Sequence, residues 1–500
     1  MAGLRKIEIK HKVFLDTLND QNRAKYDDFL AGLKQHIKIS KYHQDLLLDD
    51  FNNALIYYIR NDVPFDEALR RLDYTKLGGF YANPSSSWYP LDNAAIVYPL
   101  GMKFGHMPVF RMSAYLKEDV VPELLQMALN FTIKRFPVFA TTIKRGFFWH
   151  YMDSTKRRFD IQEEVTLPCA PISVSGTRAQ SFRVMYFGKR ISVEYFHILT
   201  DGTGGLVFLK TLVGEYLKLL GHDFEYGEGV LDISETPKSS EMSNEFAKAE
   251  IKEGVSGFMG KKATQMSGKI ADVQPAQILH FEMDAAQLLD KAHSYGVTLT
   301  AYLLGQMFLA EKYATESNDG EARIQVPVNM RKFNGSDTLR NYSMYFSCDL
   351  ALKDITTLDD ILPSISQQLK EKSQEEEMNR MMSTTIKLIK TLRFVPLAIK
   401  RPVLIMVYGF LGDKIFSNYL SNVGVVRVPK GMEQYIDKFD FLLGINEICR
   451  AACSLITFNN KAVFTISKST SSPAYEEKLY QLLTDAGIDV EVTGSQLYEG

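Results

Sequence analysis

His197, Asp201 and Gly202 set the spacing H-x-x-x-D-G within "EYFHILTDGTGG", Glu194 to Gly205. An imidazole titrates near pH 6.5, so a histidine here can take up and return protons at neutral pH. Asp201 has two arrangements open to it. It can orient the His197 ring, or it can turn away and anchor the loop through a distant arginine while a backbone carbonyl holds Nδ1–H. The bare pattern also describes an aspartate capping a helix beside a half-buried histidine. No further His, Cys or carboxylate cluster completes a metal site, so none is expected. "DGTGG" lacks the Lys-Ser/Thr that a phosphate loop requires.

The flanking residues predict what positions this motif. "SFRVMYFGKRISVEYF" reads as a hairpin turning at Gly188 and Lys189. Ile191, Val193 and Tyr195 share a face, and His197 joins it if the strand runs that far. Beyond Gly202, Leu206, Leu209, Val213, Tyr216, Leu217 and Leu220 make a helical stripe that Asp201 or Thr203 can cap. "VPELLQMALNFTIKRF" reads as an amphipathic helix with Pro122 in its first turn. "ATTIKRGFFWHYM" reads as strand with a turn at "RG". A second alternation starts at "ILHFEMD". It continues through the helix "AAQLLDKAHSYG", a helix capped by Thr300, and the strand "ARIQVPVNM". The expected organisation is a helical extension over 1–85, a first α/β lobe over 86–255, a linker over 256–276 and a second lobe over 277–500.

Composition narrows the class. The chain has 500 residues, 45% hydrophobic and 24% charged, with a formal charge of -2, which makes no case for nucleic acid binding. Four cysteines without a zinc or disulfide spacing suit a reducing compartment. The N-terminus lacks the apolar core of a signal peptide, and "FVPLAIKRPVLIMVYGFLG" is broken by charges and prolines. A cytoplasmic location is expected. His106, His150 and His293 sit in strand-like or polar helical surroundings that suit structural or exposed roles.

Several segments in order resemble the chloramphenicol-acetyltransferase-like acyltransferases. That group includes alcohol O-acetyltransferases and peptide-synthetase condensation domains. "FHILTDGTGG", "ALNFTIKRFPVFATTI", "YGVTLTAYLLGQMFLA", "IQVPVNMRKFNGSDTLRNYSMYF" and "YLSNVGVV" carry the resemblance, which spans about Trp88 to Val490. It implies a two-lobed α/β sandwich with an active-site tunnel between the lobes, to which the helical N-terminal extension is added. His197 then matches the general base, and Asp201 matches a structural aspartate that pairs with Arg331. Gly202 matches the signature glycine, which lets substrate approach and whose amide is a candidate oxyanion donor. Asn341 matches a packing or channel residue of the second lobe, and Ser421 and Asn422 match the segment crossing between lobes.

The resemblance further implies acyl transfer from acyl-CoA, as acetyl-CoA, to a small-molecule alcohol, with no permanently bound cofactor. A carrier-protein donor, as in condensation enzymes, is an alternative. So is a non-catalytic binding or scaffold protein that keeps the fold. The absence of a D-F-G-W-G element and the single histidine favour the alcohol-acetyltransferase branch. Residues 378–412 carry six basic residues and no acid. The favoured reading is helices packed on the lobe with lysines facing water. Peripheral membrane contact is the less favoured one.

Overall fold

The computed structural model describes residues 14–82, 88–102, 107–176, 179–248, 262–402, 415–445 and 448–498. His106, the expected boundary near 85, residues 256–261 of the expected linker and 403–414 lie outside these residues.

The described chain begins with three helices, Asp20–His36 (α1), Lys41–Arg60 (α2) and Phe65–Arg71 (α3). Strands Trp88–Pro90 (β1) and Val109–Leu116 (β2) precede helix Pro122–Thr132 (α4). Strands Thr141–Arg145 (β3), His150–Ser154 (β4), Ile161–Glu163 (β5), Phe182–Phe187 (β6) and Arg190–Phe196 (β7) follow, then helix Gly202–Leu220 (α5). The second lobe opens with Gln277–Asp284 (β8), Ala285–Ser294 (α6), Leu299–Tyr313 (α7), Glu321–Asn329 (β9) and Ser343–Ala351 (β10). Helices Leu358–Lys372 (α8) and Glu375–Thr391 (α9) lead to strands Asn418–Val425 (β11), Ile436–Leu443 (β12), Ala451–Phe458 (β13) and Lys461–Lys468 (β14). Helix Ala474–Asp485 (α10) and strand Val490–Gly494 (β15) end the described chain.

Three sheets result. A five-stranded sheet has the order β12-β2-β7-β6-β5, a seven-stranded sheet the order β10-β9-β11-β13-β14-β8-β15, and a small sheet the order β1-β4-β3. β12 lies among second-lobe strands in sequence, yet it pairs antiparallel with β2, Phe439 opposite Ala114. It also lies against the second sheet, where Ser467 Oγ donates to the Leu443 carbonyl at 2.8 Å. β13 and β14 are therefore buried on both faces. The pair β9 and β10 instead alternates buried and half-buried residues, as an edge hairpin with one wet face does. The segment "YLSNVGVV" falls in β11, which runs parallel to both β9 and β13 within the second sheet. The strand that joins the first sheet is β12.

α4 departs from the amphipathic reading, because every residue from Leu124 to Thr132 is buried. α2 covers the face that would otherwise meet water. Phe51 packs edge-on against Phe131 at 6.0 Å, and Asn130 Nδ2 donates to Asp50 Oδ2 at 2.9 Å. Asp50 also accepts from Arg158 at 2.7 and 2.9 Å, and Tyr58 donates to the Leu219 carbonyl at 2.6 Å. The N-terminal helices thus share the first lobe's core. A second departure concerns α7. Its N-cap is Thr298, whose hydroxyl accepts from the Ala301 amide, while Thr300 lies inside the helix. Among the described residues no helix is long and apolar enough to cross a membrane.

Candidate active site

β7 ends at Phe196, one residue before His197. The His197 amide still donates to the Pro108 carbonyl at 2.8 Å, so the residue begins the turn with its backbone held. The turn then delivers Asp201 to the N-terminus of α5. There its Oδ1 accepts from the Gly204 amide at 3.2 Å, the capping role open to it, which Thr203 does not take.

Asp201 turns away from the histidine. Its Oδ2 accepts from Arg331 Nη1 at 2.8 Å, from the Tyr342 amide at 2.8 Å and from Ser343 Oγ at 2.9 Å. Burial alone would raise this carboxyl, but the Arg331 charge and these donors outweigh it and hold it below the ordinary aspartate value. Arg331 also donates to the carbonyls of Thr338 at 2.9 Å and Arg340 at 2.6 Å. The stretch 338–343 of the second lobe is thereby clamped onto the histidine turn of the first. Gly204 permits the contact, since a Cβ there would lie 2.1 Å from the Leu339 carbonyl oxygen.

Asn341 does more than pack or line a channel. Its side-chain amide meets His197 twice, Oδ1 lying 3.0 Å from Nδ1 and Nδ2 donating to the His197 carbonyl at 2.9 Å. A carbonyl oxygen can only accept, so the Nδ2 assignment is forced and Oδ1 must face the ring. Nδ1 therefore carries the proton, and Nε2 keeps the lone pair. Nδ2 also donates to Asp92 Oδ2 at 3.2 Å. Asp92 is fully buried, accepts from the Ala95 amide at 2.8 Å and lies 3.8 Å from Arg340 Nη2. Burial pushes it up to about 6, against the pull of Arg340, Ala95 and Asn341.

Aromatic rings close the surroundings. Tyr98 lies 4.9 Å and Phe110 5.1 Å from the imidazole, centre to centre. This burial lowers the His197 pKa, opposed by its own backbone carbonyl, by Asp201 and by Asn341. The residue is nonetheless only partly buried by surface area, so some of it stays accessible. Asp92, Tyr98 and Phe110 carry no sequence signal that marks them. Tyr98, from the segment after β1, and Phe110, from β2, reach the ring, while Asp92 reaches Asn341 behind it.

Gly202 is the first residue of α5, and a Cβ there would meet Val423 of β11 at 3.2 Å. Val423 is thus the β11 residue that approaches the histidine turn. Asn422 serves the strand instead. It donates to Thr300 Oγ1 at 3.3 Å, and it accepts from the Gly424 amide at 2.9 Å where the register with β13 slips. Ser421 lies opposite Ser454 in the parallel ladder. His150 is at the start of β4 and His293 near the end of α6, both away from this cluster. Among the described residues no group of three or more His, Cys, Asp or Glu could hold a metal ion.

No family model and no curated protein sequence matches the chain. Solved structures do. Polyketide synthase associated protein 5 from Mycobacterium tuberculosis aligns with a TM-score of 0.54 at 12% identity, over 80% of this chain and 98% of its own. TRI3 trichothecene 15-O-acetyltransferase from Fusarium sporotrichioides gives 0.52 at 11% identity, over 80% and 94%. F. graminearum TRI101, solved with ethyl coenzyme A, gives 0.54 at 10% identity, over 80% and 97%. A starter condensation domain of rhizomide synthetase RzmA, solved with C8-CoA and Leu-SNAC, gives 0.53 at 11% identity, over 80% and 94%. The chain shares the two-lobed α/β fold of these acetyltransferase and condensation-domain structures.

Proposed function

We propose that the chain is an acyltransferase that moves an acyl group, as acetyl, from a coenzyme A thioester to an alcohol, with His197 as general base. The observation that carries this reading is the single hydrogen-bond pattern open to the imidazole. Asn341 occupies Nδ1–H, so Nε2 is left to accept a proton. An alcohol is a poor nucleophile at neutral pH, and removing its proton during attack contributes roughly 10²–10⁴ in rate. In this reading Nε2 takes the hydroxyl proton as the alcohol oxygen bonds to the thioester carbonyl carbon. The resulting tetrahedral oxyanion collapses, the C–S bond breaks, and the imidazolium returns the proton to the leaving thiolate. Gly202, at the positive end of α5, is the candidate donor to the oxyanion. Asp201 and Arg331 hold the turn, and Asp92 positions the ring through Asn341.

Structural neighbours solved with coenzyme A derivatives support a CoA donor. The condensation-domain neighbours keep a carrier-bound donor as a second reading. Thiol release from acetyl-CoA, measured with and without a panel of alcohols, tests the proposal. Release that needs both acetyl-CoA and an alcohol supports it, with turnover falling by roughly 10²–10⁴ in His197→Ala. Release only from an acyl-loaded carrier protein moves the assignment to a condensation enzyme. No release from any donor, or full turnover without His197, overturns it.

A further inference from the structure

The tip of the β3–β4 hairpin stands apart from the rest of the surface. Phe147 is 72% exposed, and Phe394, on the turn after α9, is 71% exposed. They are the most exposed phenylalanines among the described residues. Leaving such rings in water forfeits a sizeable burial energy, and monomers seldom gather them without a use. Here they are gathered. Phe148 bridges the two, 4.8 Å from Phe147 and 6.3 Å from Phe394. The Leu397 amide donates to the Phe147 carbonyl at 2.8 Å, which ties the hairpin tip to the helical turn carrying Ile399, itself 65% exposed. Two segments about 250 residues apart in sequence thus present one apolar knob.

Its rim is basic. Lys144, Arg145 and Arg393 are exposed beside it. Arg393 lies over the Phe394 ring at 4.5 Å. Arg145 and Arg401 are close enough to His150 to add to the effect of its burial, and together these push that imidazole down to about 4. Neither 141–150 nor 378–402 contains an acidic residue. Both tryptophans of the chain lie on or beside the same small sheet, Trp88 in β1 and Trp149 in the β3–β4 turn. Trp149 sits beneath the Lys400 ammonium, and Trp88, 62% exposed, meets Tyr151 edge-on at 6.1 Å. α9 itself is packed as the sequence favoured, with Met378, Met382 and Ile386 in the core and Lys387 and Lys390 outward.

We infer that this knob docks the protein on an anionic lipid surface, with Phe147, Phe148, Phe394 and Ile399 entering the interface and the surrounding cations meeting the headgroups. Phenylalanines at a protruding tip enter a soft interface without needing a matching pocket. A ring of arginine and lysine without acids complements a negative leaflet. A protein partner would require a shaped receptor for the tip. The inference does not depend on the acyl-transfer reading, since its test measures binding alone.

Co-sedimentation of the full chain with vesicles of phosphatidylcholine, with and without phosphatidylserine, reads it out. Binding is expected to the phosphatidylserine vesicles at low salt and to fall as salt rises. The paired changes Phe147→Ser with Phe394→Ser, and separately Arg145→Glu with Arg393→Glu, are each expected to weaken it about tenfold or more. Circular dichroism and the thermal midpoint should match the parent in both variants. No binding to anionic vesicles at low salt overturns the inference, as does binding that both variants retain. Capture by polyglutamate without vesicle binding assigns the knob to an acidic protein and overturns it equally.

Discussion

In the proposed transfer, an imidazole whose Nδ1 proton is committed to Asn341 has one nitrogen left for chemistry, and its readiness depends on staying neutral. Burial lowers the His197 pKa below the ordinary 6.5, so at pH 7 the ring is in the basic form. The acid limb of a kcat/KM profile is therefore expected to have its midpoint below pH 6.5. Asn341 favours the protonated ring, because its Oδ1 accepts from Nδ1–H. Asn341→Ala should move that limb further toward acid and lower kcat about tenfold or more, with KM for the acyl donor little changed. A residue that only filled space would leave the limb where it was. The motif drew attention to His197, but nothing in "RNYS" says that the asparagine holds the histidine. The contact spans 144 positions and depends on how the lobes meet.

At the scale of elements, α5 is capped, and joined to the second lobe, by one carboxylate. Asp201 meets Arg331, Tyr342, Ser343 and Gly204 while almost fully buried. Asp201→Asn leaves the Arg331 charge uncompensated and is expected to cost about 3–5 kcal/mol in urea unfolding. Adding Arg331→Met should recover part of that loss, because the two sites share one interaction. α7 carries a different burden. Glu311 is fully buried with no hydrogen-bond partner on either carboxylate oxygen among the described residues, and burial pushes it up to about 8. The folded chain thus keeps a proton that the unfolded chain releases near pH 4.5, so stability declines as pH rises from there to 8. Glu311→Gln should raise the thermal midpoint at pH 8, and the gain should shrink toward pH 4.5. Period and capping residues make α5 and α7 readable as helices. The buried acid inside α7 is invisible, because a glutamate in "FLAEKYA" has the spacing of an ordinary surface residue.

Across the whole molecule, the helices before residue 82 and the strand β12 decide which surfaces are interior. Phe51 is buried against Phe29 at 5.8 Å and Phe131 at 6.0 Å, so Phe51→Ala is expected to cost about 3–5 kcal/mol by chemical denaturation. A helix lying outside the core would tolerate the change. The alternation of two-residue and 3.6-residue periods, the helix caps and the order of segments come from local chemistry. These determine the two α/β lobes and the placement of His197 beside a strand-to-helix turn. Three matters belong to tertiary structure alone. β12 joins the other lobe's sheet, Tyr98 and Asn341 converge on one ring with Asp92 behind Asn341, and Phe148 links Phe147 to Phe394 at the surface. The reason is physical. Backbone propensity and hydrophobic period act over a few residues, whereas these contacts close loops of 100 to 330 residues, and only the packing of both lobes supplies the energy that selects them.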